Sequence, residues 1–477
     1  MGLKHGELLL SEKLKQYAES DFYPYHMPGH KGNADTGSVF DTLHGMDITE
    51  IDGFDDLHHP EGVLKTLQAK ATEAFGAGKS FYLTGGSTAG ILTAVSATLS
   101  FGGELLVARN CHKSVYHAAF LRQLTTRYVM PEFDEDRQIM EPVTVQQVRA
   151  GLERYPYVGA VLITSPTYEG LTADVKEIAA AVHEKNIPLI VDGAHGAHFG
   201  FAAGLPRNGN EWADIVVQSL HKTTKALTQT AILHVNTDRI DVALIQRYLD
   251  IYMTSSPSYL LMASMEEAIA DLQENGERLY QDFGVRISDF FKKTEKIKTL
   301  GVYKGDDPCK LLICSKVREF SGKMLYDMLR REYHLQMELC ENNHVLAIMT
   351  PYDRQEGFDR LAAALNEIDR FLLDQMEKGG YSRTVRGESF TPRLPEQNKI
   401  LAHSWGGGVF CPLEECAGKI SVEFVYQYPP GIPLIVPGEV WDEDLLRRAK
   451  EKKASGCEIL GIIEKCGTIG AMVSEDG

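Results

Sequence analysis

Residues 187–198 read Ile-Pro-Leu-Ile-Val-Asp-Gly-Ala-His-Gly-Ala-His. The stretch begins with a nearly continuous apolar run, which is followed by the carboxylate of Asp192. Such a run is typical of a strand that is buried on both faces of a parallel sheet. A second run, Ile215–Gln218, is followed by Ser-Leu-His-Lys, which puts a lysine just beyond the next predicted strand. Ligands of open parallel sheets bind beyond the carboxyl ends of the strands. The two runs therefore predict an α/β fold with Asp192 and Lys222 at its ligand-binding edge.

Short apolar runs alternate with segments of helical periodicity from about Val63 to Asn236. This alternation is the pattern of a parallel sheet whose right-handed crossovers place helices on both faces. The predicted strands are residues 81–83, 104–108, 158–164, 187–191, 215–218 and 231–235. The predicted helices are residues 64–75, 87–99, 114–123, 145–155 and 173–185.

A chain of 477 residues is long enough for two or three domains. Residues 1–60 are rich in His, Gly, Pro and Asp and predict an N-terminal arm, followed by a large ligand-binding domain at 61–256. Long amphipathic helices then predict a small α+β domain at 257–377. A segment rich in Gly, Pro and charge marks the start of a C-terminal domain at 378–477.

The composition excludes several classes of protein. A formal net charge of −17 argues against a nucleic-acid or anionic-membrane surface, because phosphate binding needs clustered Lys and Arg. No apolar stretch approaches the roughly 20 residues that span a bilayer, and the charged N-terminus does not resemble a signal peptide. The eight cysteines form no Cys-x-x-Cys pair. These features predict a cytoplasmic protein without a zinc site.

The run after the first predicted strand is Thr84-Gly85-Gly86-Ser87-Thr88-Ala89-Gly90. Glycines allow backbone amides to approach an anion, and a helix N-terminus adds partial positive charge. Gly86, Ser87 and Thr88 are therefore predicted to bind a phosphate. The alternative is ordinary N-capping by Ser87, and the motif lacks the Gly-Lys-Ser/Thr of a Walker sequence.

Two further strand ends carry polar residues. His112 is predicted either to lie flat on an aromatic ring or to cap the following helix. Residues 165–170 form a turn in which the Tyr168 hydroxyl either reaches a ligand or closes the loop.

The ends of the next two predicted strands complete the pattern. Asp192 is costly to bury without a cationic partner, and a protonated pyridine nitrogen is such a partner. Ala194 leaves room beneath a flat ring, and a desolvated Lys222 is a nucleophilic amine. An alternative is a metal site formed by Asp192, His195 and His198. One cofactor, pyridoxal phosphate (PLP), accounts for all five strand ends, with Ser219 and His221 flanking the lysine.

The sequence resembles the Orn/Lys/Arg decarboxylase family of fold-type-I PLP enzymes, and the resemblance covers nearly the whole chain. It rests on seven stretches, which are residues 26–32, 86–89, 109–114, 165–170, 192–195, 219–222 and 429–433. The resemblance implies a mostly parallel seven-stranded sheet, smaller α+β C-terminal domains, and a homodimer or small oligomer with active sites shared between subunits.

The same resemblance implies roles for individual residues. Lys222 forms the Schiff base, Asp192 binds the pyridine nitrogen, and His112 stacks on the ring. Contacts to the phosphate or to the lysine-bound cofactor come from Ser87, Thr88, Ser219 and His221. Thr254 is implied to reach the partner subunit's phosphate, and Glu439 to bind the substrate; the alternatives are a helix-terminal cap and a solvated loop charge. His195 is predicted to contact the cofactor, and it stands where longer members of the family carry Trp.

The predicted function is decarboxylation of a basic amino acid, with arginine favoured over lysine and ornithine. Lys222 or His221 is predicted to return the proton to Cα. Two alternatives stay open at this point. One is another PLP reaction, such as that of an aminotransferase or C–S lyase, which would favour an arginine clamp for the substrate carboxylate. The other is a non-catalytic scaffold or regulatory protein of the same fold.

Overall fold

The computed structural model describes residues 9–33, 35, 37–383, 407–454, 456 and 458–475. Within these residues the helices are α1 (Leu9–Ala18), α2 (Asp41–His44), α3 (Val63–Ala74), α4 (Gly86–Thr98), α5 (Lys113–Leu121), α6 (Val145–Arg154), α7 (Val175–His183), α8 (Leu220–Thr223), α9 (Val242–Tyr252), α10 (Tyr259–Thr294), α11 (Gly322–Arg331), α12 (Gln355–Glu377) and α13 (Glu443–Ala454). The strands are β1 (Lys79–Leu83), β2 (Glu104–Ala108), β3 (Thr125–Val129), β4 (Phe133–Asp134), β5 (Ile139–Met140), β6 (Val158–Thr164), β7 (Leu189–Asp192), β8 (Ile215–Ser219), β9 (Ala231–Val235), β10 (Leu300–Lys304), β11 (Lys310–Ser315), β12 (Leu339–Cys340), β13 (His344–Ile348), β14 (Val409–Pro412), β15 (Val425–Gln427), β16 (Pro433–Ile435), β17 (Ile459–Leu460), β18 (Ile462–Lys465) and β19 (Thr468–Val473).

The largest sheet has seven strands in the order β1-β9-β8-β7-β6-β2-β3. The pairs β7–β8, β2–β6 and β2–β3 are parallel, while β9 is antiparallel to both β1 and β8. The predicted mostly parallel sheet is therefore confirmed, and each predicted strand overlaps an observed one. The edge strand β3 was not predicted, because Thr125 and Arg127 are only half-buried and interrupt any apolar run.

The strand β7 ends one residue later than predicted, at Asp192 itself. It also starts later, after Pro188, which has no N–H to donate to a strand ladder. Asp192 pairs in parallel register with Val217 of β8. Asp192 is thus the last residue of a core strand, and the sheet fixes the position of its backbone.

The chain divides into two compact units. Unit 1 comprises Met1–Thr98 and Pro188–Leu279, and unit 2 comprises Leu99–Ile187 and Tyr280–Gly477.

In unit 1, helix α4 packs closely on the strands beneath it. A Cβ atom at Gly90 would lie 2.6 Å from Val217 Cγ1 and 2.7 Å from Leu83 Cδ1. Since core atoms cannot approach so closely, only glycine allows the helix to sit at this depth. The close packing holds the first turn of α4 near the end of β1.

Unit 2 contains smaller sheets. Strands β10-β11-β13-β12 form an antiparallel sheet, and the C-terminal part contains the sheets β14-β19-β18 and β16-β15-β17. The C-terminal sheets and α13 enclose a core around the fully buried Trp441. These elements confirm the predicted smaller C-terminal α+β region. Among the described helices, none combines the length and the apolarity needed to span a bilayer.

Candidate active site

Asp192 and Lys222 follow neighbouring parallel strands of unit 1. The Asp192 side chain is 5% exposed, and its Oδ1 accepts a hydrogen bond from the Ala194 N–H at 3.2 Å. Burial raises the pKa of the Asp192 carboxyl, against the opposing effects of the Lys222 charge and the Ala194 N–H. The structure therefore brings the predicted carboxylate and the predicted amine into one electrostatic environment. A cationic ligand group gains more from such a carboxylate than it would in water.

The amine of Lys222 lies beside a second predicted residue, His195. The distance between Lys222 Nζ and His195 Nε2 is 3.1 Å. Lys222 is half-buried and His195 is buried. An ammonium group only donates hydrogen bonds, so Nε2 accepts when Lys222 is protonated. His195, at the position where longer members of the resembling family carry Trp, thus contacts the predicted nucleophile directly.

His221 precedes the lysine in α8 and has a defined tautomer when neutral. Its Nδ1 lies 2.8 Å from the Thr230 carbonyl oxygen, which only accepts, so Nδ1 carries the proton and Nε2 is the acceptor. Burial lowers the pKa of His221; the Thr230 carbonyl opposes this and the Lys222 charge adds to it. These effects favour a neutral His221 imidazole with its lone pair on Nε2.

The predicted phosphate cradle lies at the first turn of α4. The helix begins at Gly86, whose φ of +71° favours glycine, and Ser87 and Thr88 follow it. The first N–H groups of a helix have no partner within the helix and attract anions. In the same unit the fully buried Ser219 Oγ has no hydrogen-bond partner within the described part of the chain. An unpaired buried hydroxyl is costly, which is a reason to expect a polar ligand there.

Thr254 is exposed just beyond α9, and its backbone is held by a histidine of the predicted arm. His58 Nε2 lies 2.8 Å from the Thr254 carbonyl oxygen, and His58 Nδ1 lies 2.9 Å from Asp250 Oδ1. Both partners only accept, so both ring nitrogens donate and the imidazole is cationic. The pKa of His58 is raised, because these two acceptors outweigh the lowering effect of burial.

The metal alternative gains no support from this geometry. The ligand atoms of Asp192, His195 and His198, all within the described residues, do not all lie within 4.8 Å of one another. His195 Nε2 instead lies beside the Lys222 amine, whose ammonium form would repel a cation.

In unit 2, His112 caps helix α5. Its Nδ1 accepts a hydrogen bond from the Ser114 N–H at 3.2 Å and lies 2.9 Å from Ser114 Oγ. The capping interpretation is therefore correct, but it does not exclude the predicted stacking. The cap uses one edge of the imidazole and sets the direction of its two faces.

Tyr168 lies half-buried in unit 2, in the turn after β6. Its hydroxyl donates a hydrogen bond to Glu338 Oε1. Burial and the Glu338 charge raise the pKa of Tyr168, so the phenol remains a donor. Glu338 precedes β12 and belongs to none of the motifs described above, so it carries no local signal of a function.

Glu439 does not lie in a solvated loop, so that alternative is wrong. Its side chain is 2% exposed and its two oxygens face Arg109, with Oε1 3.0 Å from Nε and Oε2 2.8 Å from Nη2. The Val436 N–H also donates to Oε2, at 2.9 Å. The Arg109 guanidinium lies 5.6 Å from the Tyr116 ring centroid and 5.4 Å from that of Tyr128. A carboxylate bound in this way has little capacity left for a substrate cation, which the sequence-based role required.

Arg109 belongs to one of the stretches that carry the resemblance, but sequence analysis assigned it no function. The signal was its position directly after the buried strand β2, where an arginine must be paired. The partner, 330 residues away, carried no local signal.

The sequence matches the family described as Orn/Lys/Arg decarboxylase, with the major domain at residues 9–304 and the C-terminal domain at 402–450. It is 35% identical over 452 residues to the uncharacterized protein YaaO of Bacillus subtilis (strain 168), covering 90% of this chain and 91% of that protein. It is 31% identical over 464 residues to an arginine decarboxylase of the same organism, covering 94% of each. The structure resembles the lysine decarboxylase LdcF of Francisella novicida with a TM-score of 0.82 at 19% identity, covering 98% of this chain and 82% of that one. This likeness confirms the predicted fold class.

Proposed function

Because the chain belongs to the Orn/Lys/Arg decarboxylase family, we propose that it removes the α-carboxylate of arginine, releasing carbon dioxide and agmatine, with PLP as cofactor. Arginine is favoured over lysine and ornithine because a relative that matches 94% of the chain is an arginine decarboxylase. The observation that carries the proposal is that the buried carboxylate of Asp192, at the end of β7, lies within the electrostatic influence of the Lys222 amine, just beyond the neighbouring strand β8.

The residues of unit 1 fit the groups of PLP. A phosphate suits the first turn of α4 and the unpaired Ser219 hydroxyl. A protonated pyridine nitrogen would supply the second cation that stabilises a buried Asp192 carboxylate. An aldehyde requires a primary amine, and Lys222 provides one beside a hydrogen-bonding imidazole.

In the proposed holoenzyme, Lys222 would hold the aldehyde carbon and Asp192 the pyridine nitrogen. His112 would stack on the ring, and Ala194 would leave space beneath it. The phosphate would be held by Gly86, Ser87, Thr88 and Ser219, with His221 nearby and Thr254 reaching the partner subunit's phosphate. Bound PLP supplies an electron sink for the electron pair that remains when the Cα–carboxylate bond breaks.

The chain's own residues supply the proton transfer. Lys222 would hold the cofactor through its deprotonated Nζ, and as a free primary amine its Nζ would be basic. His221 Nε2 carries no proton in the neutral ring, whereas a displaced Lys222 takes one up readily. We therefore favour Lys222 Nζ as the donor to Cα, with His195 Nε2 accepting its hydrogen bond and orienting it.

Recognition of the distal guanidinium is assigned in this proposal to Glu338, in place of the predicted Glu439. Glu338 is half-buried, and the Tyr168 hydroxyl binds one of its two oxygens, Oε1. An arginine guanidinium donates in a planar fork to a carboxylate. Tyr168, predicted as a substrate contact, would orient the carboxylate for that purpose.

The quaternary state is also proposed, as a homodimer with active sites shared between subunits. Sedimentation equilibrium of the purified holoenzyme tests it. A monomer at micromolar concentration that is fully active would overturn it.

Incubation of the PLP-loaded protein with arginine, lysine and ornithine in separate reactions tests the function. Carbon dioxide release is measured together with agmatine, cadaverine and putrescine. We expect agmatine to form fastest. Faster release of cadaverine or putrescine would change the substrate but keep the reaction class.

A second outcome would change the reaction class. A protein that binds PLP but releases no carbon dioxide from any of the three amino acids would favour an aminotransferase or C–S lyase reaction. Protein without a visible absorbance band after incubation with PLP would favour the scaffold alternative.

A further inference from the structure

One loop of the C-terminal segment contacts the imidazole that is proposed to stack on the cofactor. The loop Tyr428–Pro433, called here the Pro-Gly loop, lies in unit 2 together with His112. A Cβ atom at Gly431 would lie 3.0 Å from His112 Nε2 and 3.1 Å from His112 Cδ2. A side chain at this position would therefore meet the ring edge at less than an ordinary van der Waals distance.

The same loop also holds the backbone next to the ring. The Lys113 N–H donates to the Gly431 carbonyl oxygen at 3.1 Å. The Lys113 ammonium donates to the Tyr426 hydroxyl at 2.8 Å. His112 is therefore bound at its Nδ1 edge by Ser114, and its opposite edge faces the position that a Cβ atom of residue 431 would occupy. Two opposed contacts restrict rotation of the ring about its Cβ–Cγ bond.

The Pro-Gly loop itself is firmly attached. Arg109 donates to the carbonyl oxygens of Pro433 at 2.9 Å and Leu434 at 3.2 Å, and it forms the buried ion pair with Glu439. Arg109 lies only three residues before His112. Because Arg109 binds the end of the loop and lies in the same short segment as His112, the loop cannot easily move away from the ring. A methyl group at Gly431 would then require the imidazole to shift by a few tenths of an ångström.

We propose that Gly431 is a positioning residue, which sets the orientation of the His112 ring through the Pro-Gly loop. This inference rests on the proposed stacking role of His112. The C-terminal segment would in this way act on cofactor binding from a position distant in sequence.

The test compares two glycine variants of the full-length holoenzyme, Gly431→Ala and Gly418→Ala. Gly431 has φ +81° and Gly418 has φ +80°, so alanine is equally strained at both positions. A Cβ at Gly418 would meet no atom within 4 Å. Gly418→Ala therefore reproduces the backbone strain without the contact.

We expect Gly431→Ala to raise the Kd for PLP by about two- to tenfold, the range given by loss of an aromatic contact. We also expect it to shift the visible circular dichroism of the bound cofactor, which a purely structural defect elsewhere would not do. Gly418→Ala should leave both readouts unchanged. Equal effects of the two variants would overturn the proposal.

A double-mutant cycle with His112→Ala identifies the ring as the target. Removing the imidazole makes room for the methyl group, so in the His112→Ala background Gly431→Ala should change the PLP Kd no more than Gly418→Ala does. Additive effects of Gly431→Ala and His112→Ala would show that the glycine acts elsewhere.

Gly431→Ala could also fold poorly. The thermal unfolding midpoints of the same four proteins are therefore compared in the absence of PLP. His112→Ala should then restore part of the midpoint lost in Gly431→Ala, and failure to do so counts against the contact. This readout does not need the cofactor. A wild-type protein that binds no PLP would defeat the proposed function, whereas the apoprotein cycle would still decide whether Gly431 and His112 are coupled.

Discussion

Asp192 and Glu439 are both buried carboxylates with a basic partner, yet their surroundings differ. Glu439 faces a guanidinium with both oxygens and also accepts a backbone N–H. Asp192 accepts a hydrogen bond from one backbone N–H. Burial raises its pKa, and the nearby Lys222 charge opposes this effect. A fully bound carboxylate stabilises the structure it joins. A partly bound one is left able to bind a cationic group of a ligand.

The largest effect that would test this contrast is expected at the amine beside Asp192. Lys222→Ala should abolish decarboxylation, since it removes the amine that is proposed to bind the aldehyde at the end of β8. Carbon dioxide release and the visible absorbance of the bound cofactor are the measurements. The matched control is Lys225→Ala, because Lys225 is partly exposed and pairs with Asp271 at 3.4 Å. Full activity of Lys222→Ala would refute the assignment.

Asp192→Asn should lower kcat by about 100-fold, the usual size of losing one preorganised electrostatic group at a reacting centre. It keeps the side-chain shape, so the fold should persist. Asp214→Asn is the control, because Asp214 is buried but bound to the Leu189 N–H at 2.8 Å and to Arg239 at 3.0 Å. That variant should lose stability without a change in the cofactor spectrum. A normal kcat in Asp192→Asn would show that the Asp192 carboxylate does not take part in the reaction, so it would no longer differ in function from Glu439.

Glu439→Gln should instead destabilise the fold by about 3–5 kcal/mol, because it leaves the Arg109 charge buried and unpaired. Chemical denaturation followed by circular dichroism measures the loss. Glu104→Gln is the control, since Glu104 meets Arg127 with the same two-bond geometry, at 3.0 and 3.1 Å, but both side chains are 22% exposed. Its loss should be about 1 kcal/mol or less. Equal losses would mean that burial does not distinguish the two pairs.

Glu338 is intermediate between Asp192 and Glu439, because one of its oxygens accepts a hydrogen bond from the Tyr168 hydroxyl. Glu338→Gln should raise KM for arginine by about tenfold, the scale of one lost charged contact, with a smaller change in kcat. Steady-state kinetics with arginine measures the changes in KM and kcat separately. Tyr168→Phe is the companion variant, because it removes the hydrogen bond to Glu338 but keeps the carboxylate charge, and it should raise KM less. An unchanged KM in Glu338→Gln would place the distal cation elsewhere.

The smallest effect concerns the cationic His58. Its pKa is raised on folding, so its contribution to stability is complete below the unfolded value of about 6.5 and is lost as pH rises through the folded pKa. The thermal midpoint of wild type should exceed that of His58→Ala more at about pH 6 than at about pH 9. His59→Ala is the control, because the His59 side chain is 79% exposed. A pH-independent difference would contradict a cationic His58.

The position of the candidate active site followed from chain order. Apolar runs located β7 and β8, and Asp192 and Lys222 lie at or just beyond their carboxyl ends, which meet at one edge of a parallel sheet. The roles of these two residues stay predictions. Family membership confirms the predicted class of amino-acid decarboxylase. The predicted domain bounds stay a prediction. The edge strand β3 escaped detection because its half-exposed residues leave no apolar run.

The sequence by itself determined the fold class, the family and the positions of Asp192 and Lys222, because each depends on a local pattern or on the order of motifs. Only the tertiary structure decided that Glu439 binds Arg109, that Glu338 accepts a hydrogen bond from Tyr168 and that a side chain at position 431 would meet His112. These pairs lie 330, 170 and 319 residues apart. Contacts at such separations depend on how the folded chain packs, which no local spacing of residues encodes.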